Sequence, residues 1–278
     1  MLEIGLSTCG FQFTDENFKA LKEAGIKHIE ISRGWLEYPD MDYDDIKRLA
    51  DKYGINLWSL HLPFAGTCEL DISSLDEKLR QKTVSWWCEN IEKGAKIGVK
   101  LFVVHPSSEP VSEEPEIRAK NIEAAKKSLK ELVNFAAKFD AVIAVEDLPR
   151  TCLGRNADEI AELISADDRL KVCLDTNHML IDTNLNLIEK LGQKIATLHV
   201  SDYDFINERH WLPGEGKVEW QTVYNAIINS GYKGAWLYEL YLKTPDNLNR
   251  GRDLSFKDFV DNANQIFANR PFELFNQG

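Results

Sequence analysis

The feature that most constrains the fold is a repeated alternation of short apolar runs with longer amphipathic stretches, which continues through the whole chain without a linker. The short runs are rich in Val, Ile and Leu and have the length of buried strands, whereas the stretches between them have the spacing of helices that bury one face. The runs predict eight strands, near residues 3–8, 27–32, 56–62, 100–105, 141–146, 170–175, 195–201 and 235–240.

The intervening stretches have the start and stop signals of helices. The segment TDENFKALKEAG has an N-cap candidate at Thr14, acids in its first turn and a glycine at its end, and YDDIKRLADKYG repeats the pattern. The runs 76–98 and 115–138 also predict helices. A strand, a helix and a parallel return strand form a right-handed crossover. Eight such units predict an α/β fold in which residues 1–278 form one (β/α)8 barrel domain, since no Gly-rich phosphate loop of an open doubly wound sheet follows the first strand.

Charge and cysteine content restrict the partners and the compartment. The net charge of -12 opposes binding to phosphate backbones and anionic membranes, so we expect neither nucleic acid nor membrane as a partner. Five cysteines without a CxxC motif (Cys9, Cys68, Cys88, Cys152 and Cys173) suit buried thiols in a reducing compartment. No leader-like start and no long apolar run is present, which predicts a cytoplasmic protein. A homo-oligomer is compatible with the sequence.

Side chains alternate between the two faces of a strand, so each strand can be divided into a helix-facing and an interior set. In the sixth strand Leu170, Val172 and Leu174 share the apolar face, and in the third Trp58, Leu60 and Leu62 do so. We predict that the side chains on the opposite face of each strand line the barrel interior. In seven of the eight strands, the last interior residue is of a type that ligates metals. These residues lie at the C-terminal ends of the strands, where barrel enzymes keep their active sites. They are Glu30, His61, His105, Glu146, Asp175, His199 and Glu239.

Four carboxylates and several imidazoles in one cavity need a counter-ion, because a buried carboxylate either shifts its pKa or binds a cation. The simplest counter-ion is a divalent metal. Glu146, Asp175, His199 and Glu239 come from the last four strands and could supply a mixed oxygen and nitrogen site. This donor set suits Mn, Zn, Fe, Co or Mg without selecting one.

Several segments, in this order, resemble the xylose isomerase-like TIM barrel superfamily of sugar phosphate isomerases and epimerases: SLHLPF, VVHPSS, AVEDLP, VCLDTNHM, LHVSDYD, RHWLPGEGKVEW and LYEL. Similarity to its ketose 3-epimerases implies that Glu146, Asp175, His199 and Glu239 ligate one metal and that the two glutamates are acid and base. It implies proton abstraction beside a carbonyl of a small sugar through a metal-stabilised enediolate. His178 matches a substrate-binding histidine, whereas His210 stands where those epimerases have an arginine.

Endonuclease IV, a metal-dependent phosphodiesterase, belongs to the same superfamily and binds three zinc ions through nine ligands. The chain offers suitable types at all nine places, with Glu208 in place of an aspartate, so His61, His105, His178, Glu208 and His210 are predicted either to bind substrate or to hold additional metal. The short segment between His199 and His210, and the lack of clear DNA-gripping loops, favour a sugar enzyme with one metal. The remaining alternatives are a dehydratase of inositol-derived ketones, which is a lyase with the same enolate, and a non-catalytic sugar-binding barrel.

Residues just after the strand ends are candidates for the substrate pocket. This set consists of Glu30, Trp35, Phe64, Arg209 and Trp211. His28 lies deeper on the same strand face as Glu30, and we predict that it is a hydrogen-bonded core residue. Only Arg150 and Arg209 could bind a phosphate near the predicted site, which favours a free sugar or a polyol derivative. Cys152 lacks a matching base and is predicted to be structural.

Overall fold

The computed structural model describes residues 1–66 and 69–272, and Cys68 lies outside the described residues. All eight predicted strands are present as one parallel sheet in the order β7-β6-β5-β4-β3-β2-β1-β8. They are β1 Ile4–Ser7, β2 His28–Ile31, β3 Asn56–His61, β4 Leu101–Val104, β5 Val142–Glu146, β6 Lys171–Asp175, β7 Ile195–His199 and β8 Trp236–Tyr238.

The two edges of the sheet meet just beyond β7. Val200 and Tyr238 form a parallel bridge, Val200 N–H donates to Leu237 O, and Glu239 N–H donates to Val200 O. These contacts join β7 to β8 and bring the sheet close to full closure. The predicted (β/α)8 TIM barrel is therefore confirmed.

A helix follows each strand, and its ends obey the local signals in the sequence. The helices are α1 Asp15–Ala24, α2 Tyr43–Tyr53, α3 Glu77–Lys96, α4 Pro115–Ala136, α5 Ala157–Ile164, α6 Asn184–Leu191, α7 Trp220–Asn229 and α8 Phe256–Phe267. The Thr14 hydroxyl accepts from Asn17 N–H at the start of α1, and Gly25 ends the helix with φ of 95°. Among the described residues, no helix combines the length and the apolarity that crossing a bilayer requires.

The core consists of two layers, as the two-residue period predicts. The larger layer lies between strands and helices and includes Val172 and Leu174. The smaller lies inside the barrel and contains Leu101, Val103, Ala144 and Cys173. This inner layer fills the lower part of the barrel, so the polar strand ends above it surround a cavity at the C-terminal face.

The prediction that Trp58 packs under the helices is wrong. Ile29 pairs with Leu57 but Glu30 pairs with Ser59, so Trp58 is an extra residue in β3 and forms a bulge. Its indole packs against the inner layer, and Nε1 donates to Thr197 Oγ1 at 3.0 Å. The bulge inverts the alternation at one position, and the strand then resumes the predicted phase with His61 pointing inward.

Candidate metal centre and active site

A ring of four side chains lies at the C-terminal ends of β5 to β8. It is formed by Glu146, Asp175, His199 and Glu239, whose ligand atoms all lie within 4.8 Å of one another. His199 Nδ1 is 2.9 Å from Glu146 Oε1, 3.2 Å from Glu239 Oε2 and 4.0 Å from Asp175 Oδ2. Because neighbouring parallel strands end at one edge, four residues distant in sequence converge here.

The electrostatics of this ring show what it requires. Burial raises the pKa of Asp175 well above its ordinary value. Burial acts in the same direction on Glu146 and Glu239, but His199 beside them holds the pKa of Glu146 well below its usual range and lowers that of Glu239 to about 2. Three carboxylates therefore compete for one imidazole, and a cation among them would relieve that competition.

Asp175 provides a direct test of whether a metal ion fits the ring. Its Oδ1 accepts from Asn177 N–H at 2.7 Å, whereas its Oδ2 is buried and has no hydrogen-bond partner in the described part of the chain. A buried carboxylate oxygen without a partner is costly. The orphaned atom belongs to the ring, and carboxylates with one imidazole are a donor set used for divalent ions. The residues present therefore fit a divalent metal.

Glu30 lies beneath the ring rather than in a substrate pocket. Its side chain is fully buried, its Oε2 accepts from Ser59 Oγ at 2.8 Å, and its Oε1 lies 2.9 Å from His199 Nε2. A carboxylate behind a metal-ligating histidine can fix the tautomer and the orientation of the imidazole. Glu30 Oε1 and His199 Nε2 are close without forming a hydrogen bond. Nε2 of His199 lies on the side of Glu30, and Nδ1 faces the ring of candidate ligands.

A second group of ligand types contacts the other oxygen of Glu146. His61 Nε2 lies 3.0 Å from Glu146 Oε2, and His105 Nε2 lies 3.2 Å from the same atom. Burial acts to lower the pKa of His61, but Glu146 raises it to about 9, while burial lowers the pKa of His105. Glu146 thus faces two groups at once, one through each oxygen.

The third group consists of His178, Glu208 and His210. His178 Nε2 lies 3.5 Å from Glu208 Oε2 and 3.5 Å from Asp175 Oδ2, so this group borders the ring. His210 Nδ1 is 3.1 Å from Glu239 O. All nine predicted ligand positions therefore lie together at one end of the barrel.

Residues of all three groups line a cleft of about 500 Å³, within the size range of ligand pockets: His61, His105, Glu146, His178, Glu208, His210 and Glu239. Phe64 borders it, 46% exposed, and stacks on His105 with ring centroids 4.3 Å apart. The other predicted pocket residues lie apart from its lining. Trp35 packs against Trp86, and Arg209 is paired with Asp204 and lies over the Trp211 ring.

Sequence reasoning missed the residues that hold the ligand loops in place. Asp202 is fully buried, and its carboxylate accepts from Tyr203 N–H, Gly214 N–H, Val218 N–H and Trp220 Nε1 at 2.8 to 3.1 Å. Its backbone pairs with that of Trp211, which fixes the segment carrying Glu208 and His210. A Cβ on Gly216 would lie 2.3 Å from Asp202 Oδ1, so this close approach requires glycine.

Two further positioning residues surround Asp175. Asp147 Oδ1 accepts from Asp175 N–H at 2.8 Å, and Asn177 Oδ1 accepts from the N–H of Arg209 and of His210. Both residues occur in the segments AVEDLP and VCLDTNHM, so their positions beside predicted ligands were the available signal. The structure places His28 as predicted, in contact with Glu3 and Asn56 below the ring. Cys152 is buried, and the four described cysteines are free thiols.

Comparison with known proteins gives relatives of several kinds. An uncharacterized protein of Methanocaldococcus jannaschii is 28% identical over 226 residues, 80% of this chain and 86% of that protein. D-psicose 3-epimerase of Ruminiclostridium cellulolyticum is 26% identical over 244 residues, 83% of this chain and 80% of the enzyme. A probable endonuclease 4 of Thermoplasma acidophilum is 26% identical over 186 residues, 60% of this chain and 61% of that protein.

Solved structures agree on the architecture. A D-tagatose 3-epimerase-like protein superposes with a TM-score of 0.78 at 20% identity, over 96% of both chains. The IOLI protein, solved with a bound zinc atom, gives 0.77 at 18% identity over 96% of this chain and 97% of that one. The family model described as xylose isomerase-like TIM barrel matches residues 18–257. The chain, with a cleft lined by candidate metal ligands at the C-terminal face of eight parallel strands, belongs to the xylose isomerase-like TIM barrel family.

Proposed function

We propose that the protein is a divalent metal-dependent sugar isomerase or epimerase that moves a proton on the carbon beside a carbonyl. The observation that carries the proposal is that Glu146 and Glu239 both line the cleft and both belong to the ring that contains His199. Two carboxyl groups can therefore reach one bound substrate. Similarity to D-psicose 3-epimerase supports this reaction class. Glu146, Asp175, His199 and Glu239 would hold the metal.

Both glutamates line the cleft, where a bound substrate can contact them. A carboxyl group accepts a proton when it is ionised and donates one when it is protonated, so either glutamate can act as base or as acid. One carboxylate removes the proton beside the carbonyl, and the C–H electron pair enters the enediolate. The other carboxyl, which carries a proton taken from solvent, donates it to the opposite face for epimerisation or to the neighbouring carbon for isomerisation, and the first then releases the proton it gained to solvent. A bound divalent ion supplies the Lewis acidity that stabilises the developing negative charge.

The cleft suits a sugar without a phosphate group. Among the described residues that line it, Arg150 is the one lysine or arginine. Its guanidinium is bound by Glu109 at 2.8 Å and by Glu208 at 3.1 Å, so its charge is already balanced. Phe64 provides an apolar wall against which one face of a sugar can pack.

The test follows the exchange of a substrate hydrogen with solvent. Metal-loaded protein is incubated in D2O with ketoses, polyol ketones and their phosphates, and NMR detects deuterium beside the carbonyl. We expect exchange with at least one sugar and strong suppression in Glu146→Gln and in Glu239→Gln, because an amide cannot accept the proton. Glu109→Gln removes a cleft carboxylate outside the ring and is the matched control, with most exchange retained. Full exchange in both ring variants would refute the acid and base roles.

A second candidate, a metal-dependent phosphodiesterase, is favoured by one specific observation. The three ligand groups share Glu146 or border Asp175, which is an arrangement able to hold more than one ion, and a probable endonuclease 4 is among the relatives. Against it, the chain carries a net charge of -12, and Arg150, the arginine among the described cleft residues, is neutralised by Glu109. Phosphate backbones are bound by clusters of free Lys and Arg.

The two candidates are separated by metal content and by substrate. Elemental analysis of purified protein should give one divalent ion per chain, and abasic duplex DNA should remain intact. Three zinc ions per chain together with strand cleavage, in the absence of sugar exchange, would make the phosphodiesterase the better assignment. A hydrolase that cleaves a P–O bond leaves the sugar hydrogens unexchanged.

A further inference from the structure

A second cavity of about 440 Å³ adjoins the cleft over β1, β2 and β8. The two cavities share four lining residues, which are Cys9, Ser32, Phe64 and Tyr241. Beyond these, the second cavity is bounded by Gln12, Arg33, Gly34 and Glu37, and we call it the side compartment. It is close in volume to the cleft, so a molecule filling both would be much larger than one filling the cleft alone.

The charged groups of the side compartment balance one another. Arg33 donates from Nε and from one terminal nitrogen to Glu37 Oε2, at 3.1 and 2.6 Å. Its other terminal nitrogen donates to Phe11 O at 2.9 Å and Thr8 O at 3.3 Å. The arginine side chain is 8% exposed. All of its nitrogens are therefore engaged by the protein, and the compartment offers no free cation for a phosphate or a carboxylate.

The free groups of the side compartment are neutral. Tyr241 is 58% exposed and Phe64 is 46% exposed, and both stand where the two cavities meet. Within the described residues, the Tyr241 hydroxyl and the Gln12 side-chain amide have no hydrogen-bond partner. Two aromatic faces with an adjacent phenol and amide can bind an uncharged group that carries several hydroxyls.

From this geometry we infer that the substrate is a keto sugar bearing a second uncharged polyhydroxyl unit, such as a glycosyl group. The reacting unit lies against the ring of Glu146 and Glu239, and the second unit lies in the side compartment between Phe64, Tyr241 and Gln12. The inference rests on the proposed function and adds the size and charge of the substrate. A free monosaccharide would leave the compartment to water.

The experiment compares D-fructose with disaccharides in which a glucosyl or galactosyl group is attached to a fructose unit: isomaltulose, leucrose, turanose and lactulose. Exchange of the hydrogen beside the carbonyl is followed in D2O. We expect at least one disaccharide to exchange with kcat/KM at least tenfold above that of D-fructose. Gln12→Trp should lower the ratio of the two kcat/KM values at least tenfold by filling the compartment. Lys19→Trp, at an exposed site on α1, should leave the ratio unchanged.

Binding provides a second readout that is independent of catalysis. Reduction of the same disaccharides gives alcohols without a carbonyl, and their affinity is measured by calorimetry for the wild-type protein, Gln12→Trp and Lys19→Trp. We expect binding that only Gln12→Trp weakens, by about tenfold or more.

The outcomes distinguish the two proposals. Exchange of D-fructose as efficient as that of every disaccharide, or ratios and affinities insensitive to Gln12→Trp, would overturn the side compartment while the proposed function stands. Absence of exchange with every sugar would overturn the proposed function and the inference that depends on it.

Discussion

Replacement of Glu30 by glutamine tests whether the ring is a metal site, from a position that does not touch the cleft. Glu30 Oε1 lies 2.9 Å from His199 Nε2, and when Nδ1 ligates a metal, Nε2 must carry the hydrogen. Glu30 Oε1 and His199 Nε2 form no hydrogen bond with the described residues, so the contact is electrostatic: the wild-type carboxylate places a negative charge beside that hydrogen, whereas the amide offers a neutral oxygen or a repelling N–H group. Because the side chain is fully buried, water cannot compensate.

The expected magnitude follows from this contact. Loss of a carboxylate behind a ligating histidine weakens metal binding about 10–100-fold, which is about 1.4–2.7 kcal/mol. With the metal at roughly 100 times the wild-type Kd, binding stabilises the folded protein by about 2.7 kcal/mol. A variant with about 30-fold weaker binding would gain only about 0.9 kcal/mol at the same concentration. At roughly 2–3 °C per kcal/mol, the metal-induced rise in Tm should fall from about 5–8 °C to about 2–3 °C.

The assay combines a competitive chelator titration, which gives the metal Kd, with thermal unfolding at several metal concentrations. Glu109→Gln is the matched control, since it also removes one carboxylate charge, and among the described residues that carboxylate hydrogen-bonds only with Arg150 and Thr151. It should alter the Kd by less than about threefold. Unchanged metal affinity in Glu30→Gln, or equal losses in both variants, would refute the argument that Glu30 acts through His199.

Three further predictions follow from the same contacts. Asp175→Ala and His199→Ala should each strip the metal, because one of four ligands is lost; normal metal content in both would contradict the ring. Asp202→Asn should lower the free energy of unfolding by about 2–5 kcal/mol, because an amide nitrogen would face two of the four donors that now reach the carboxylate. Denaturant unfolding measures this loss, with Lys19→Ala as the surface control. A loss below about 0.5 kcal/mol would refute the prediction. Burial raises the pKa of Cys9 and of Cys152 to about 12, so at pH 8 only about one thiol in 10⁴ is ionised, and alkylation followed by peptide mapping should be roughly 10³-fold slower in the folded than in the unfolded chain. Equal rates would contradict it.

Much of the fold and the inward direction of many candidate ligands were determined by local sequence pattern. The alternation of strand and helix signals predicted eight units, and Thr14 and Gly25 marked the ends of α1 as the structure has them. The two-residue period also directed His61, Glu146 and His199 into the barrel. These predictions succeed because strand alternation and helix capping depend on residues within a few positions of one another.

The parts that only the tertiary structure decided depend on contacts between distant segments. The bulge at Trp58 arises from pairing between β2 and β3, so it has no local signature. Glu30 has the same residue type and strand position as a ligand, yet contact with Ser59 and His199 places it behind the ring. The charge of Arg150 is balanced by Glu109 and Glu208, 41 and 58 residues away. A single sequence indicates the chemical type of each side chain and the face of the strand on which it lies. The distance between two groups is decided only when the barrel closes. That distance determines which charge is balanced and which oxygen is left without a partner.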